Sequence, residues 1–102
     1  MKNDNDADVL GREVTRAEFL GLVPEDEALV NIRLALYRKL KEARLRSGLT
    51  QTALAAKIGS SQSRLAKAEA GDASISIDLL LRATLAAGVT PREIGEALVR
   101  SL

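Results

Sequence analysis

The sequence predicts an all-α domain of five to six helices, and three observations carry that expectation. Apolar residues recur three and four positions apart through most of residues 24 to 100, without the alternation of strands. Thr, Ser and Pro open the periodic segments, and Gly closes them. The connections between them are short, which suits helices packed against one another. A single domain follows from the length, since 102 residues is near the common domain size.

Met1 to about Leu10 is rich in Asn and Asp, the makeup of a disordered start. Thr15 and Glu18 stand at capping-box spacing and predict a short helix near 16 to 21, ended by Gly21. Residues 1–23 therefore read as a polar, acidic N-terminal extension, partly disordered and partly helical, and 24–102 as the domain itself. Pro24 suits a first helical position, and Glu25, Asp26 and Glu27 put negative charge at the positive end of the helix dipole. Arg44 and Arg46 stand at the other end, and Gly48 closes a helix predicted over 24 to 47, roughly 36 Å at ~1.5 Å per residue. Leu29, Ile32, Leu36, Leu40 and Ala43 form one apolar stripe along it; Val30, Leu34 and Tyr37 form a second. One stripe is enough to dock on the domain. The other needs the Phe19–Leu20 segment, a second subunit or a different protein.

Thr50 is an N-cap type for the next helix, with Ala53, Leu54 and Ile58 on its inward face and Gly59 as a left-handed stop. Ser60 or Ser61 restarts the chain as a new cap. Leu65 and Ala68 give the following helix a narrow inward stripe, leaving Gln62, Ser63, Arg64 and Lys67 outside. After Gly71, Ser74 or Ser76 caps a helix over Ile77 to Ala87 with Leu80, Leu81 and Leu85 inward. Thr90, Pro91 and Glu93 combine an N-cap, a first-turn proline and a capping-box partner. The last helix turns Ile94, Ala97 and Leu98 inward and reaches about Arg100.

Two short helices joined by a glycine turn, the second bristling with polar groups, make the pattern of a helix-turn-helix. The run Leu49-Thr50-Gln51, Leu54-Ala55, Ile58-Gly59, Ser61-Gln62-Ser63, Leu65, Glu69 and Gly71 resembles the Cro and phage-repressor-type helix-turn-helix of the XRE family of bacterial regulators. The resemblance covers roughly residues 30 to 100. It implies a compact, lambda-repressor-like DNA-binding domain, dimeric binding to an inverted repeat in double-stranded DNA, and transcriptional repression. Ala66 and Ala68 depart from the pattern in being small, and the loop after Gly71 is longer than in the smallest phage domains.

Charge is segregated in the same sense. Residues 1–32 carry three basic and eight acidic side chains, net −5; residues 33–68 carry nine and one, net +8; residues 69–102 carry three and five, net −2. The positive block contains the helix-turn-helix, which is the electrostatic footprint of a DNA-binder. With no cysteine and no histidine, disulfide scaffolds, thiolate or imidazole zinc sites and imidazole-dependent nucleophiles are excluded. No convergent acid–base pair stands out, so neither an enzyme nor a cofactor is expected. No apolar run approaches the ~20 residues of a membrane span, and the polar, acidic start lacks a secretory signal. A bacterial cytoplasmic, nucleoid-associated location is the default expectation.

The resemblance assigns roles residue by residue. Gln62 stands where a glutamine reads adenine, its amide matching N6 and N7. Ser63 follows it, and Lys67, one turn on, is suited to guanine O6 or N7. Arg64 is assigned either to a base or to a phosphate. Gln51 is expected to brace the sugar-phosphate backbone and Gln62 together, with Thr50, Ser61, Lys57 and Arg46 as further backbone contacts. Capping competes with that role for Thr50 and Ser61, and plain solvation for Lys57 and Arg46. Arg44 and Glu69 match the spacing of a structural pair that orients the recognition helix. Antitoxins of the HigA type are similar in size and layout, so a cognate toxin is the alternative partner for the acidic extension and the surplus stripe.

Overall fold

Five α-helices and no strand occupy the described residues of a computed structural model, which are residue 21 and residues 23 to 101. They are α1 (Pro24–Arg46), α2 (Gln51–Lys57), α3 (Gln62–Glu69), α4 (Ile77–Ala86) and α5 (Pro91–Arg100). The helix expected near 16 to 21, the expected disordered start and the Phe19–Leu20 segment lie outside the described residues. None of the described helices is long and apolar enough to cross a membrane.

Each start has a local cause. Pro24 opens α1 behind an extended Val23, and three acidic residues fill its first turn. The side chains of Thr50, Ser61, Ser76 and Thr90 accept backbone N–H groups at the starts of α2, α3, α4 and α5. Of the paired serine candidates, Ser61 and Ser76 are therefore the caps. At Thr90 the capping box closes in both directions: Glu93 N donates to Thr90 Oγ1 at 3.1 Å, and Thr90 N to Glu93 Oε1 at 2.9 Å.

The turn between α2 and α3 is a Schellman closure. Ser60 N donates to Ala55 O at 2.9 Å and Gly59 N to Ala56 O at 3.3 Å. Gly59 sits at φ +66°, a conformation that costs a residue with a Cβ, which is why glycine stands there. This turn sets the angle at which α3 leaves α2.

The core is aliphatic. Leu36, Leu40, Leu54, Leu65 and Thr84 are fully buried at its centre, joined by Ala43, Ala55, Ala68, Ile75, Leu79, Leu80, Ala83, Val89 and Ile94. α1 packs along α4, α5 and α3, while α2 rests on α3 and α4. Ala68 is buried despite its size. Two inward assignments are corrected. Ala53 is exposed and its neighbour Ala55 is buried; Leu85 is 46% exposed while Thr84 is buried. Thr84 tolerates burial because its hydroxyl donates to Leu80 O at 2.6 Å, so its polar group is paired.

The two stripes on α1 also divide differently from the expectation. From Leu36 onward the first stripe is buried, but Leu29 and Ile32 are exposed, as is Val30 of the second. Arg33 marks the boundary, its Nη1 donating to Ile75 O at 2.6 Å and tying α1 to the loop before α4. Ahead of it the first turns of α1 lie outside the packed core.

Candidate nucleic-acid interface

α3 is held by one face and shows the other. Leu65 and Ala68 fill the core, and Gln62, Ser63, Arg64 and Lys67 are exposed on the remaining surface. The outer side therefore presents an amide, a hydroxyl and two cations, with no carboxylate among those four. The amide and hydroxyl stand at the start of the short rod, and the cations run on from them through Arg64 to Lys67.

Arg44 and Glu69 form a buried pair. Arg44 Nε donates to Glu69 Oε2 at 2.5 Å and Nη2 to Glu69 Oε1 at 2.9 Å, with Nη1 donating to Leu49 O at 2.9 Å. Side-chain exposure is 10% for Arg44 and 4% for Glu69, so both charges depend on each other for solvation. Burial pushes the Glu69 carboxyl up, but hydrogen bonds from Arg44 and Gln51 and the Arg44 charge outweigh it and hold it below its ordinary range. The Arg44 guanidinium is raised by its hydrogen bond to Glu69. This bidentate clamp joins the last turn of α1 to the last turn of α3.

From that clamp a chain of amides runs outward. Gln51 Nε2 donates to Glu69 Oε1 at 3.1 Å, and Gln51 Oε1 accepts from Gln62 Nε2 at 2.7 Å. Gln62 is thus exposed yet tethered. Gln51 and Gln62 meet as the family resemblance implies. The link from Gln51 back to Glu69 was missed, because residues 18 positions apart give no periodic signal of contact.

The backbone-contact candidates separate into groups. Thr50 and Ser61 act as caps, accepting from Ala53 N at 3.0 Å and Arg64 N at 3.2 Å. Lys57 Nζ donates to Ala86 O at 3.2 Å at the end of α4, so its ammonium has a protein partner. Ser47 Oγ donates to Ala87 O at 3.0 Å at the same place. Arg46 is exposed. Arg82 was not singled out by the sequence, yet it lines a concavity with Gly59, Ser60, Ser61 and Arg64 at the tip of the turn. Its only sequence signal is a charge on an outer helical face, which looks the same as any solvated arginine.

A two-helix unit whose second helix is anchored inside and polar and cationic outside has the build of a DNA-binding helix-turn-helix. The helix-turn-helix family model matches residues 40–94, more than half of the chain. The chain belongs to this XRE-type helix-turn-helix family, whose members are DNA-binding transcription regulators. No curated protein and no solved structure matches it.

Proposed function

We propose that the chain is a transcriptional repressor that binds an inverted-repeat operator as a homodimer, with α3 in the major groove. The carrying observation is the exposed Gln62 amide, held by Gln51 at the start of a helix whose outer face is polar and cationic. Gln62, Ser63 and Lys67 are the proposed base readers, with Arg64 reading a base or gripping phosphate. Gln51, Thr50, Ser61 and Arg46 are the proposed backbone contacts, and Lys57 joins them by giving up the Ala86 carbonyl. The division into an extension over 1–23 and a domain over 24–102 is part of the same proposal, and its support is that α1 begins at Pro24.

Selection of bound sequences from random DNA, followed by footprinting, tests this reading. Two protected half-sites about 34–36 Å apart are expected, with affinity falling steeply as salt rises. A single unpaired half-site sinks the homodimer. The absence of any enriched sequence sinks specific recognition altogether.

A second reading, an antitoxin that neutralises a toxin and represses its own operon, is favoured by one observation. Val23, Leu29, Val30 and Ile32 are exposed large apolar residues gathered at the start of α1. Co-purification with the product of the adjacent gene tests it, and a lack of any stable complex leaves the free-standing repressor.

A further inference from the structure

The Gln51–Gln62 pair has a symmetry that its surroundings break. Two carboxamides joined by one N–H···O bond can be joined in either sense, because each offers donors and an acceptor. In the observed sense Gln62 Nε2 donates to Gln51 Oε1. In the reverse sense Gln51 Nε2 would donate to Gln62 Oε1, with the same number of bonds.

Glu69 separates the two. Its ionised carboxylate only accepts, and its Oε1 lies 3.1 Å from Gln51 Nε2. Reversing the pair would turn Gln51 Oε1 towards that oxygen, replacing a charge-assisted hydrogen bond with two facing acceptors. Glu69 has no freedom to turn aside, because Arg44 holds both of its oxygens inside the domain. It stays ionised near neutral pH, since its carboxyl is held below the ordinary range.

We infer that Glu69 is a specificity-determining positioning residue: through Gln51 it fixes the sense of the Gln62 carboxamide, so that Gln62 takes adenine over guanine. The inference rests on Gln62 as a base reader. Held as observed, Gln62 keeps its Oε1 and one N–H for a ligand. Adenine supplies the matching N6–H donor and N7 acceptor, whereas guanine supplies two acceptors, O6 and N7, one of which opposes Oε1. In the reverse sense Gln62 would turn its Oε1 towards Gln51 and its NH2 group outward, and guanine, with two acceptors, would become the better partner. Glu69 itself is 6% exposed and sets this preference from beneath the reading surface.

Duplexes selected from random DNA by the wild-type chain locate the base pair whose preference Gln62→Ala removes. There the affinity ratio for adenine over guanine is measured for the wild type, Gln51→Met and Glu69→Gln. Gln51→Met leaves the Arg44–Glu69 clamp whole, so it is informative even if Glu69→Gln does not fold. Whatever grip Gln51 has on a phosphate is sequence-independent, so its removal weakens both duplexes alike and cancels in the ratio. The ratio should fall by about tenfold in both variants, with Gln51→Met still unfolding in one cooperative transition, at a somewhat lower midpoint because Glu69 loses one donor. A ratio retained in Gln51→Met, or in a folded Glu69→Gln, overturns the inference and leaves Gln62 as the reader. If Gln62→Ala changes no base preference, the base-reading proposal fails and the inference falls with it.

Discussion

Arg44, near the end of α1, holds both carboxylate oxygens of Glu69 on α3, 25 residues further along the chain. Neither charge has much water to turn to. Removing one partner therefore strands the other, and Arg44→Met should destabilise the domain by about 3–5 kcal/mol. Arg44→Lys should recover only part of this, because an ammonium cannot reproduce the two-pronged geometry. Urea unfolding measures both, and a loss for Arg44→Met typical of exposed pairs, below about 1 kcal/mol, would contradict the buried clamp.

The same pair predicts an acid limit. Glu69 has a folded pKa below its ordinary value of 4.5, so the folded state binds fewer protons than the unfolded one in that range. Its contribution is complete above 4.5 and is lost as pH falls through the lower folded value. Asp72 and Glu93 act in the same direction, held low by hydrogen bonds from Ser74 and Thr90 respectively. The thermal midpoint should therefore begin to drop as pH falls below 4.5, and Glu69→Gln should show a shallower drop. An identical acid profile in the variant would remove Glu69 from the explanation.

Gly71 and Gly59 should respond unequally to alanine. Both have positive φ, but a Cβ at Gly59 meets open space, whereas at Gly71 it would lie 2.7 Å from Tyr37 Cε2. Gly59→Ala should cost only the left-handed backbone strain, about 1–2 kcal/mol. Gly71→Ala should cost more, because the Tyr37 ring packs against the core and must shift. Chemical denaturation ranks the two, and equal losses would show that the ring moves freely.

Reversing charge on the outer face of α3 should separate binding from folding. Arg64→Glu with Lys67→Glu should abolish DNA binding while leaving far-ultraviolet circular dichroism unchanged, since both side chains are exposed. Retained binding would point to a protein-interaction role for this face.

Thr90→Ala provides a control remote from α3. It removes the side-chain arm of the capping box on α5 and should cost about 1 kcal/mol. DNA affinity measured well below the melting temperature should not change, and a loss of affinity would implicate α5 in binding.

Much of this architecture was readable in the residues themselves. Pro24, Thr50 and Thr90 announced helix starts through chemistry confined to one turn, and Gly59 announced the turn through a conformation other residues resist. The outer face of α3 was equally plain, because Leu65 and Ala68 left Gln62, Ser63, Arg64 and Lys67 on the surface. Faces were harder where neighbouring residues had similar character. Leu85 is more hydrophobic than Thr84, but the rotation of α4 that buries Leu79, Leu80 and Ala83 also buries Thr84, whose hydroxyl serves its own helix. Ala53 and Ala55 are the same residue, so only the packing of α2 distinguishes them. The pairing of Arg44 with Glu69 is implied by the family resemblance, but its depth depends on how three helices converge. The bond from Lys57 to Ala86 has no local signature at all.

That last bond bears on ion release when the domain meets a duplex. Lys57 already neutralises the partial negative end of α4 through the Ala86 carbonyl. A phosphate that takes Lys57 displaces it from this post, leaving a helix terminus with one donor fewer. Lys57 thus differs from the other cations around the turn in that its contact with a phosphate is offset by a hydrogen bond given up inside the domain.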